Sequence, residues 1–292
     1  MIIRLKPIAI QKVWGGEKLS KLYNINQNKI GEIWGISAHL SNSNIIINGK
    51  YKGMTFRNLY NEHRDLFGNL KYDEFPILFK VIDAADDLSV QVHPDDTYAK
   101  ENEDSLGKDE CWYILDTESD NTEIIIGHNA KTKDELVNLI NKNDYDKLLN
   151  RFKIKKDDYY YISSGKIHAI CKGTTLLEVS QSSDITYRLY DYNRLDNGKL
   201  RELHVDKSID VISAPDNEVL TNHINKHYSY QEIINNKEKV LQAHNNGDYI
   251  YIIEGTGKFN NENVKKGDFL VITSKTKYKI IGNFSYKLIN LI

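Results

Sequence analysis

Short runs of β-branched and aromatic residues, separated by Gly, Asn and Asp, make up most of this chain of 292 residues. This pattern is typical of the strands of a sandwich or a barrel. It predicts a mainly β fold, with a turn at Gly255-Thr256-Gly257. The predicted strands are 45–47, 77–82, 88–92, 111–115, 122–126, 159–162, 175–179, 248–253 and 267–272.

Helical patterns are fewer. Thr55 opens a segment whose apolar residues lie on one helical face, and Gly68 is expected to cap its end. Thr132, with Glu135 three residues later, is typical of a capping box at the start of a helix. Two further helices are predicted, at 148–152 and at 203–212.

The pattern changes after Arg201, which suggests two domains. A break at 215–217 precedes a return to strands from about Tyr228. We therefore predict a domain of residues 1–205 and a smaller β-domain of residues 206–292.

Cysteines and C-terminal histidines give no sign of a disulfide framework or of a second metal site. Cys111 and Cys171 are the only two cysteines, and neither belongs to a C-x-x-C pair. His244 is the only histidine of the strand-rich tail, and His223 and His227 are expected to be a surface pair. Because no Cys or carboxylate accompanies these histidines, we expect the second domain to lack metal ligands.

Composition narrows the classes of function. Hydrophobic residues make up 40% and charged residues 27%, as in an ordinary globular protein. The formal net charge of −2 gives no electrostatic reason to expect nucleic acid or an anionic membrane as a partner. No apolar run approaches the roughly 18 residues of a membrane helix. A cytoplasmic location is the expectation.

The densest candidate chemistry lies in residues 89–96, with the sequence Ser-Val-Gln-Val-His-Pro-Asp-Asp. Alternate side chains of a strand share a face, so Gln91 and His93 point one way and the two valines point the other way. A pair of metal ligands inside a barrel explains this arrangement. A strand with one solvated face and an ordinary surface histidine explains it equally well.

Glu110 begins a second candidate strand and shares its face with Trp112 and Ile114. Burying a carboxylate beside such residues is costly unless something pairs with it. A metal ion is one such partner. Taken alone, the segment fits a solvated strand end with Lys108 as the partner at least as well.

His168 follows a Gly165 turn, and such a turn allows an imidazole to project into a barrel mouth. A loop histidine in water is the commoner outcome for a segment of this kind. Together with Gln91, His93 and Glu110, however, His168 completes a mixed nitrogen and oxygen set. This set suits zinc and would also accept manganese, iron or cobalt.

A fourth segment, 186–194, carries arginines. If it is extended, one face presents Arg188, Tyr190, Tyr192 and Arg194. The forked guanidinium suits a phosphate or an oxyanion. The alternative is a cation at the edge of a solvated strand.

Longer motifs resemble a known family nearly end to end. They are 13–16 (VWGG), 30–39 (IGEIWGISAH), 75–80 (FPILFK), 87–96 (DLSVQVHPDD), 107–113 (GKDECWY) and 187–192 (YRLYDY). They look like the class I mannose-6-phosphate isomerases, in the short form of low-GC bacteria. The resemblance implies a cupin-type antiparallel jelly-roll barrel with a few peripheral helices and a second, smaller β-domain.

The same resemblance implies a set of site residues and a reaction. One zinc ion per chain is expected, with the ligands Gln91, His93, Glu110 and His168. The expected catalytic residues are Arg188, Glu178 and Lys108, and the expected substrate-binding residues are Arg194, Ser89 and Asp184. Mannose-6-phosphate and fructose-6-phosphate would interconvert through an enediolate, with Glu178 or a metal-bound water as the base. A monomer or a weak homodimer is expected.

Two points bear on this interpretation. Ser163 and Lys166 replace the Pro and Thr of the family's usual Pro-x-Gly-Thr, which is expected to loosen the turn before His168. A cupin dioxygenase and a sugar-binding regulator without catalysis are the alternative classes. The first usually has a His-x-His pair, where this chain has Gln91, and the second predicts a broken ligand set.

Overall fold

The structure is a computed structural model that describes residues 1–216, 219, 221 and 226–292. Of the predicted surface pair, His223 lies outside the described residues, as does Asn217 of the predicted break. The described residues form antiparallel β-sheets with short helices. No described helix combines the length and the apolar character that crossing a membrane requires.

The strands are β1 (Ile2–Lys6), β2 (Ile8–Gly16), β3 (Ile30–Ile36), β4 (Ile45–Ile46), β5 (Ile77–Asp83), β6 (Val90–Val92), β7 (Glu110–Thr117), β8 (Glu123–His128), β9 (Leu149–Lys153), β10 (Tyr159–Ile162), β11 (His168–Ile170), β12 (Thr174–Gln181), β13 (Tyr187–Tyr190), β14 (Leu195–Asp196), β15 (Lys199–Leu200), β16 (Tyr228–Asn235), β17 (Lys239–Gln242), β18 (Asp248–Phe259), β19 (Glu262–Lys265), β20 (Phe269–Ile272) and β21 (Lys277–Leu291). The helices are α1 (Lys18–Tyr23), α2 (Phe56–Glu62), α3 (Asp96–Glu103), α4 (Lys133–Asn141), α5 (Tyr145–Leu148) and α6 (Val205–Val211), with a 3-10 helix at Arg64–Phe67.

The chain forms two compact units, each built from separate segments. The first unit contains the described parts of Met1–Ala9, Ile33–Lys80 and His223–Ile292, and the second those of Ile10–Glu32 and Val81–Asn222. Residues 1–9 and 33–80 lie in the same unit as the C-terminal strands because β1 pairs with both β20 and β4. The compact units are therefore not divided at residue 205. The division into domains of residues 1–205 and 206–292 stays a prediction.

The first unit is built on an eight-stranded sheet in the order β16-β21-β18-β20-β1-β4, with β17 paired to β21 and β19 to β18. The turn predicted at residues 255–257 is wrong, because β18 continues through it against β21. Gly255 instead permits a close approach of the two strands. Its φ is +84°, and a Cβ there would lie 2.2 Å from the carbonyl oxygen of Asn283.

The second unit contains two sheets that share a core. One has the order β10-β7-β12-β5-β3-β2, and all six strands have residues in this unit; the other has the order β13-β6-β11-β8-β9. Trp112 and Leu176 of the first sheet and Ile124 and Ile170 of the second lie in one buried cluster. The sheets therefore pack face to face, with apolar side chains of both between them.

Side-chain caps start the predicted helices. The Thr55 side chain accepts a hydrogen bond from the backbone N–H of Asn58, and Thr132 does the same for Glu135. The helix after Thr55 ends at Glu62, and Gly68, with φ +70°, ends the 3-10 helix that follows. The helix predicted at 203–212 is confirmed as α6. The helix predicted at 148–152 is wrong beyond residue 148, because β9 begins at Leu149 and pairs with β8.

Candidate active site

Three neighbouring strand ends bring the predicted metal ligands together in the second unit. Gln91 lies in β6 and pairs directly with His168, the first residue of β11. Glu110 is the first residue of β7, and His93 follows the end of β6. The ligand atoms of His93, Glu110 and His168 all lie within 4.8 Å of one another, and all three residues are buried. The pairing of β6 with β11 joins two of the segments, and the packing of the two sheets brings Glu110 of β7 to them.

The spacing of these atoms fits a metal ion. The two imidazole Nε2 atoms of His93 and His168 are 3.2 Å apart. Oxygens of Glu110 lie 3.4 Å from Nε2 of His93 and 3.6 Å from Nε2 of His168. Ligands about 2.0–2.1 Å from a zinc ion in tetrahedral geometry stand about 3.4 Å from each other. The donor set therefore has both the chemistry and the spacing that zinc requires.

Hydrogen bonding fixes the state of His168. Its Nδ1 lies 2.9 Å from the carbonyl oxygen of Lys166, which can only accept. Nδ1 must therefore carry the proton, and Nε2 presents a lone pair to the cluster. Burial lowers the pKa of His168. Burial, and after it the charge of Lys108, lowers the pKa of His93 to about 3. Both imidazoles are consequently neutral near pH 7, the form that binds metals.

Gln91 stands beside this cluster through its amide. Its Nε2 is 3.3 Å from Nε2 of His168, and its Oε1 accepts a hydrogen bond of 3.3 Å from the hydroxyl of Ser89. A rotation of the amide by 180° would present the oxygen, the atom that binds metals, to the cluster. Ser89 is itself buried and therefore holds the ligand side chain rather than facing open solvent.

Lys108 and Glu178 add one positive and one negative charge. The Lys108 ammonium lies 2.6 Å from Glu110 Oε2, 3.4 Å from Glu178 Oε1 and 3.2 Å from His93 Nε2. Burial by itself would lower the pKa of Lys108, but the two carboxylates outweigh it and raise that pKa. Burial would likewise raise the pKa of Glu110, and the charge of Lys108 holds it well below the ordinary value. Lys108 and Glu110 are thus both held in their charged forms in a buried site.

Trp112 has a role that the sequence reasoning did not assign. Its indole Nε1 donates a hydrogen bond of 2.9 Å to Glu110 Oε1, and its ring lies 5.5 Å from that of His168. The indole therefore orients one oxygen of the carboxylate while Lys108 holds the other. The alternation of β7, which places residues 110 and 112 on one face, was the available signal.

Arg188 lies in β13 directly opposite Gln91, at the edge of the cluster. Its Nη1 donates to the carbonyl oxygen of Glu202 at 2.7 Å, and its Nε has no hydrogen-bond partner among the described residues. Burial, followed by the charge of Arg201, lowers its pKa. One part of this guanidinium is thus held by a backbone carbonyl, and its Nε is buried without a hydrogen bond among the described residues.

The predicted continuous face of residues 188–194 is wrong. β13 ends at Tyr190, and Tyr192 and Asn193 both have φ of +54°. Arg194 follows this turn and donates to the carbonyl oxygen of Asp87 at 2.6 Å and to Asp191 at 2.7 Å. The left-handed residues reverse the alternation on which the prediction depended.

Asp184 is exposed in the connection between β12 and β13, so the structure does not bring it into the buried cluster. Glu178 does belong to the site, because it lies in β12 opposite Trp112 of β7. Seven of the ten predicted site residues contact one another, namely Ser89, Gln91, His93, Lys108, Glu110, His168 and Glu178. Arg188 pairs with Gln91 through the sheet. Asp184 is exposed, and Arg194 contacts Asp87 and Asp191 instead.

A two-sheet β fold with a buried His, His and Glu cluster defines the class as a cupin-type protein with a candidate metal centre. Residues 2–132 match the model of the family described as phosphomannose isomerase type I, catalytic domain. The chain is 51% identical to mannose-6-phosphate isomerase ManA of Bacillus subtilis over 213 residues, 72% of this chain and 67% of that protein. It is 50% identical to mannose-6-phosphate isomerase of Streptococcus mutans over 206 residues, 70% of this chain and 65% of that protein.

The crystal structure of the mannose 6-phosphate isomerase from Bacillus subtilis matches with a TM-score of 0.92 and 39% identity, covering 99% of both chains. The structure of an archaeal relative from Archaeoglobus fulgidus, at 22% identity, has the same fold with a TM-score of 0.84. The chain belongs to the type I phosphomannose isomerase family. The predicted family and the predicted mainly β, cupin-type fold are therefore confirmed.

Proposed function

We propose that this chain is a zinc-dependent isomerase that interconverts mannose-6-phosphate and fructose-6-phosphate. The observation that carries the proposal is the buried convergence of His93, Glu110 and His168, with neutral imidazoles and ligand spacing suited to zinc. Relatives at about half identity that are named mannose-6-phosphate isomerases support the choice of substrate. One zinc ion per chain, held by these three residues and Gln91, is proposed.

The chemistry requires a proton to move between two adjacent carbons, with negative charge developing on the sugar oxygens. A bound zinc ion supplies Lewis-acid polarisation of such oxygens. The chain itself supplies the rest. Because the site is buried, charges that face the developing enediolate act with little screening by water.

Arg188 is the proposed stabiliser of the enediolate, since part of its guanidinium has no partner and it stands opposite Gln91. Glu178 is the proposed base, and the ammonium of Lys108, 3.4 Å from it, is proposed to donate to a sugar oxygen. We propose Arg194 for the phosphate group, since a guanidinium is a forked donor suited to phosphate. Ser89 would orient Gln91 and border the sugar.

Three smaller points accompany this proposal. Asp184 is retained as a proposed substrate-binding residue. A sugar phosphate is the only partner proposed, and a monomer or weak homodimer stays a prediction. A cytoplasmic location also stays a prediction.

The test is a coupled assay on mannose-6-phosphate with the purified chain, before and after removal of metal by a chelator. We expect turnover in the untreated protein, loss of turnover after chelation and recovery when one equivalent of zinc is restored. Metal analysis should give about one zinc per chain. Undiminished turnover in protein shown to be free of metal would defeat the zinc-dependent mechanism. Oxygen uptake without isomerisation would instead favour the dioxygenase class.

A further inference from the structure

The turn at residues 163–168 connects both histidines of the cluster. The backbone N–H of Gly165 donates to the carbonyl oxygen of His93 at 2.9 Å. The carbonyl oxygen of Lys166 accepts from Nδ1 of His168 at 2.9 Å. The direction of that one carbonyl therefore sets the tautomer and the ring orientation of His168. Whatever holds the backbone at residue 166 acts on the cluster.

The side chain of Lys166 is held in a buried ion pair. Its ammonium lies 2.7 Å from Oδ1 of Asp216, and the two side chains are only 3% and 8% exposed. The other oxygen, Oδ2, accepts from the backbone N–H of His128 at 3.1 Å. Both oxygens of the Asp216 carboxylate are therefore engaged, and the ammonium is anchored at a point 50 residues further along the chain.

The position of the Asp216 carboxylate requires a glycine at residue 127. Gly127 has φ of +82°, and a Cβ at this position would lie 1.9 Å from Oδ2 of Asp216. A second connection runs beside the ion pair, because the backbone N–H of Ser213 donates to the carbonyl oxygen of Gly165 at 2.9 Å. The segment 213–216 is thus bound to the turn at Gly165 by a backbone hydrogen bond and at Lys166 by an ion pair.

The turn lacks the Pro and Thr that family members usually carry, and we expected it to be looser for that reason. The ion pair supplies a different restraint at the same place. We infer that Lys166 and Asp216 are a positioning pair for the metal centre, holding the Lys166 carbonyl toward His168 so that its Nε2 lone pair meets the metal. The inference rests on the function proposed above, because it takes His168 to be a zinc ligand.

The experiment measures zinc affinity directly, by competition with a chromophoric chelator, in metal-free protein. The variants are Lys166→Met, Asp216→Asn and the two combined, and Lys166→Arg retains the charge. We expect Lys166→Met and Asp216→Asn each to weaken zinc binding about 10- to 100-fold, as other partners of metal-bound histidines do. Lys166→Arg should remain within about threefold of the parent.

The double variant separates positioning from stability. Each single substitution leaves a buried charge without its partner, so it should also lower the melting temperature of the metal-free protein. The double variant leaves no such charge, so its melting temperature should recover while its zinc affinity stays low. If the single variants yield no folded protein, the double variant decides the matter by its zinc affinity alone.

Lys287→Met is the matched control, because Lys287 is fully buried and pairs with Glu232 at 2.5 Å in the first unit. It should lower stability and leave zinc affinity unchanged. If the double variant binds zinc as tightly as the parent protein does, the positioning role is overturned. A parent protein that binds no zinc would instead overturn the proposed function, so the two failures are distinguishable.

Discussion

The indole of Trp112 offers a sharp test of how the cluster is held. Trp112→Phe removes one hydrogen bond, the 2.9 Å contact from Nε1 to Oε1 of Glu110, and keeps an aromatic ring in the core. Hydrogen bonds to charged groups contribute about 1.5–3 kcal/mol. A free-energy change of about 1.4 kcal/mol corresponds to a factor of ten in a binding constant. If losing this hydrogen bond leaves the Glu110 carboxylate less well oriented for the metal, zinc binding should weaken about 10- to 100-fold. Lys108 still holds the other oxygen, which favours the lower end of that range.

The assay is chelator competition for zinc, followed by isomerase turnover at saturating zinc. Trp14→Phe is the matched control, since Trp14 lies buried in the same apolar cluster and donates no hydrogen bond to His93, Glu110 or His168 among the described residues. Both variants should lose about 1–3 kcal/mol of stability through lost packing. Equal zinc affinities in the two variants would refute the reasoning, because stability alone would then account for every effect of Trp112.

Four further substitutions probe separate parts of the site. Arg188→Ala should lower kcat at least about 100-fold, through loss of an oxyanion donor, with zinc content near that of the parent; full turnover in a coupled assay would remove Arg188 from the mechanism. His168→Ala should lose zinc and turnover together by metal analysis and assay, and a metal-free active variant would contradict the site. Gly165→Ala should destabilise by about 1–2 kcal/mol in urea unfolding, since φ is +79° and its Cβ would lie 2.6 Å from Oγ of Ser213; an unchanged midpoint would show that the turn adjusts freely. Lys108→Met should bind zinc about tenfold more tightly in chelator competition, because a buried cation repels the metal, and should still lose turnover; weaker binding would show that the ammonium organises the ligands instead.

Strand alternation explains why most of the candidate metal site could be predicted from the sequence. It predicted that Gln91 and His93 point the same way, and His93 does reach the cluster although it lies just past the end of β6. Glu110 shares a face with Trp112 on β7, so the chemistry of each segment was visible before the fold was known. What the separate segments lacked was proximity. The pairing of Gln91 with His168 and the packing of β7 from the other sheet supply it, and local patterns contain no register between strands 77 residues apart.

Other features depend on contacts that a local pattern cannot reveal. The assignment of residues 1–9 and 33–80 to the unit of the C-terminal strands arises from β-pairing across most of the chain. Lys166 stands where the family usually has a Thr, and from the sequence this replacement was expected to loosen the turn. Its ion-pair partner lies 50 residues away in a segment without regular structure, so no local pattern indicated the restraint. The turn expected at residues 255–257 is wrong for a related reason, because a long partner strand, β21, pairs with β18 through these residues.

The net charge of the buried site favours a divalent cation before metal binds and an anionic substrate afterwards. Glu110 and Glu178 contribute two negative charges, Lys108 contributes one positive charge, and the two imidazoles are neutral, which leaves a net charge of −1. Such a site attracts a cation, and a divalent ion would change its sign to +1. A buried positive site with the Arg188 guanidinium at its edge then favours the phosphorylated sugar and the enediolate over a neutral sugar. Lys108 therefore has two opposing effects under the proposed function. Its charge weakens the hold of Glu110 on the metal, and the same charge lies 3.4 Å from the proposed base Glu178. This opposition explains why its loss should separate zinc affinity from turnover.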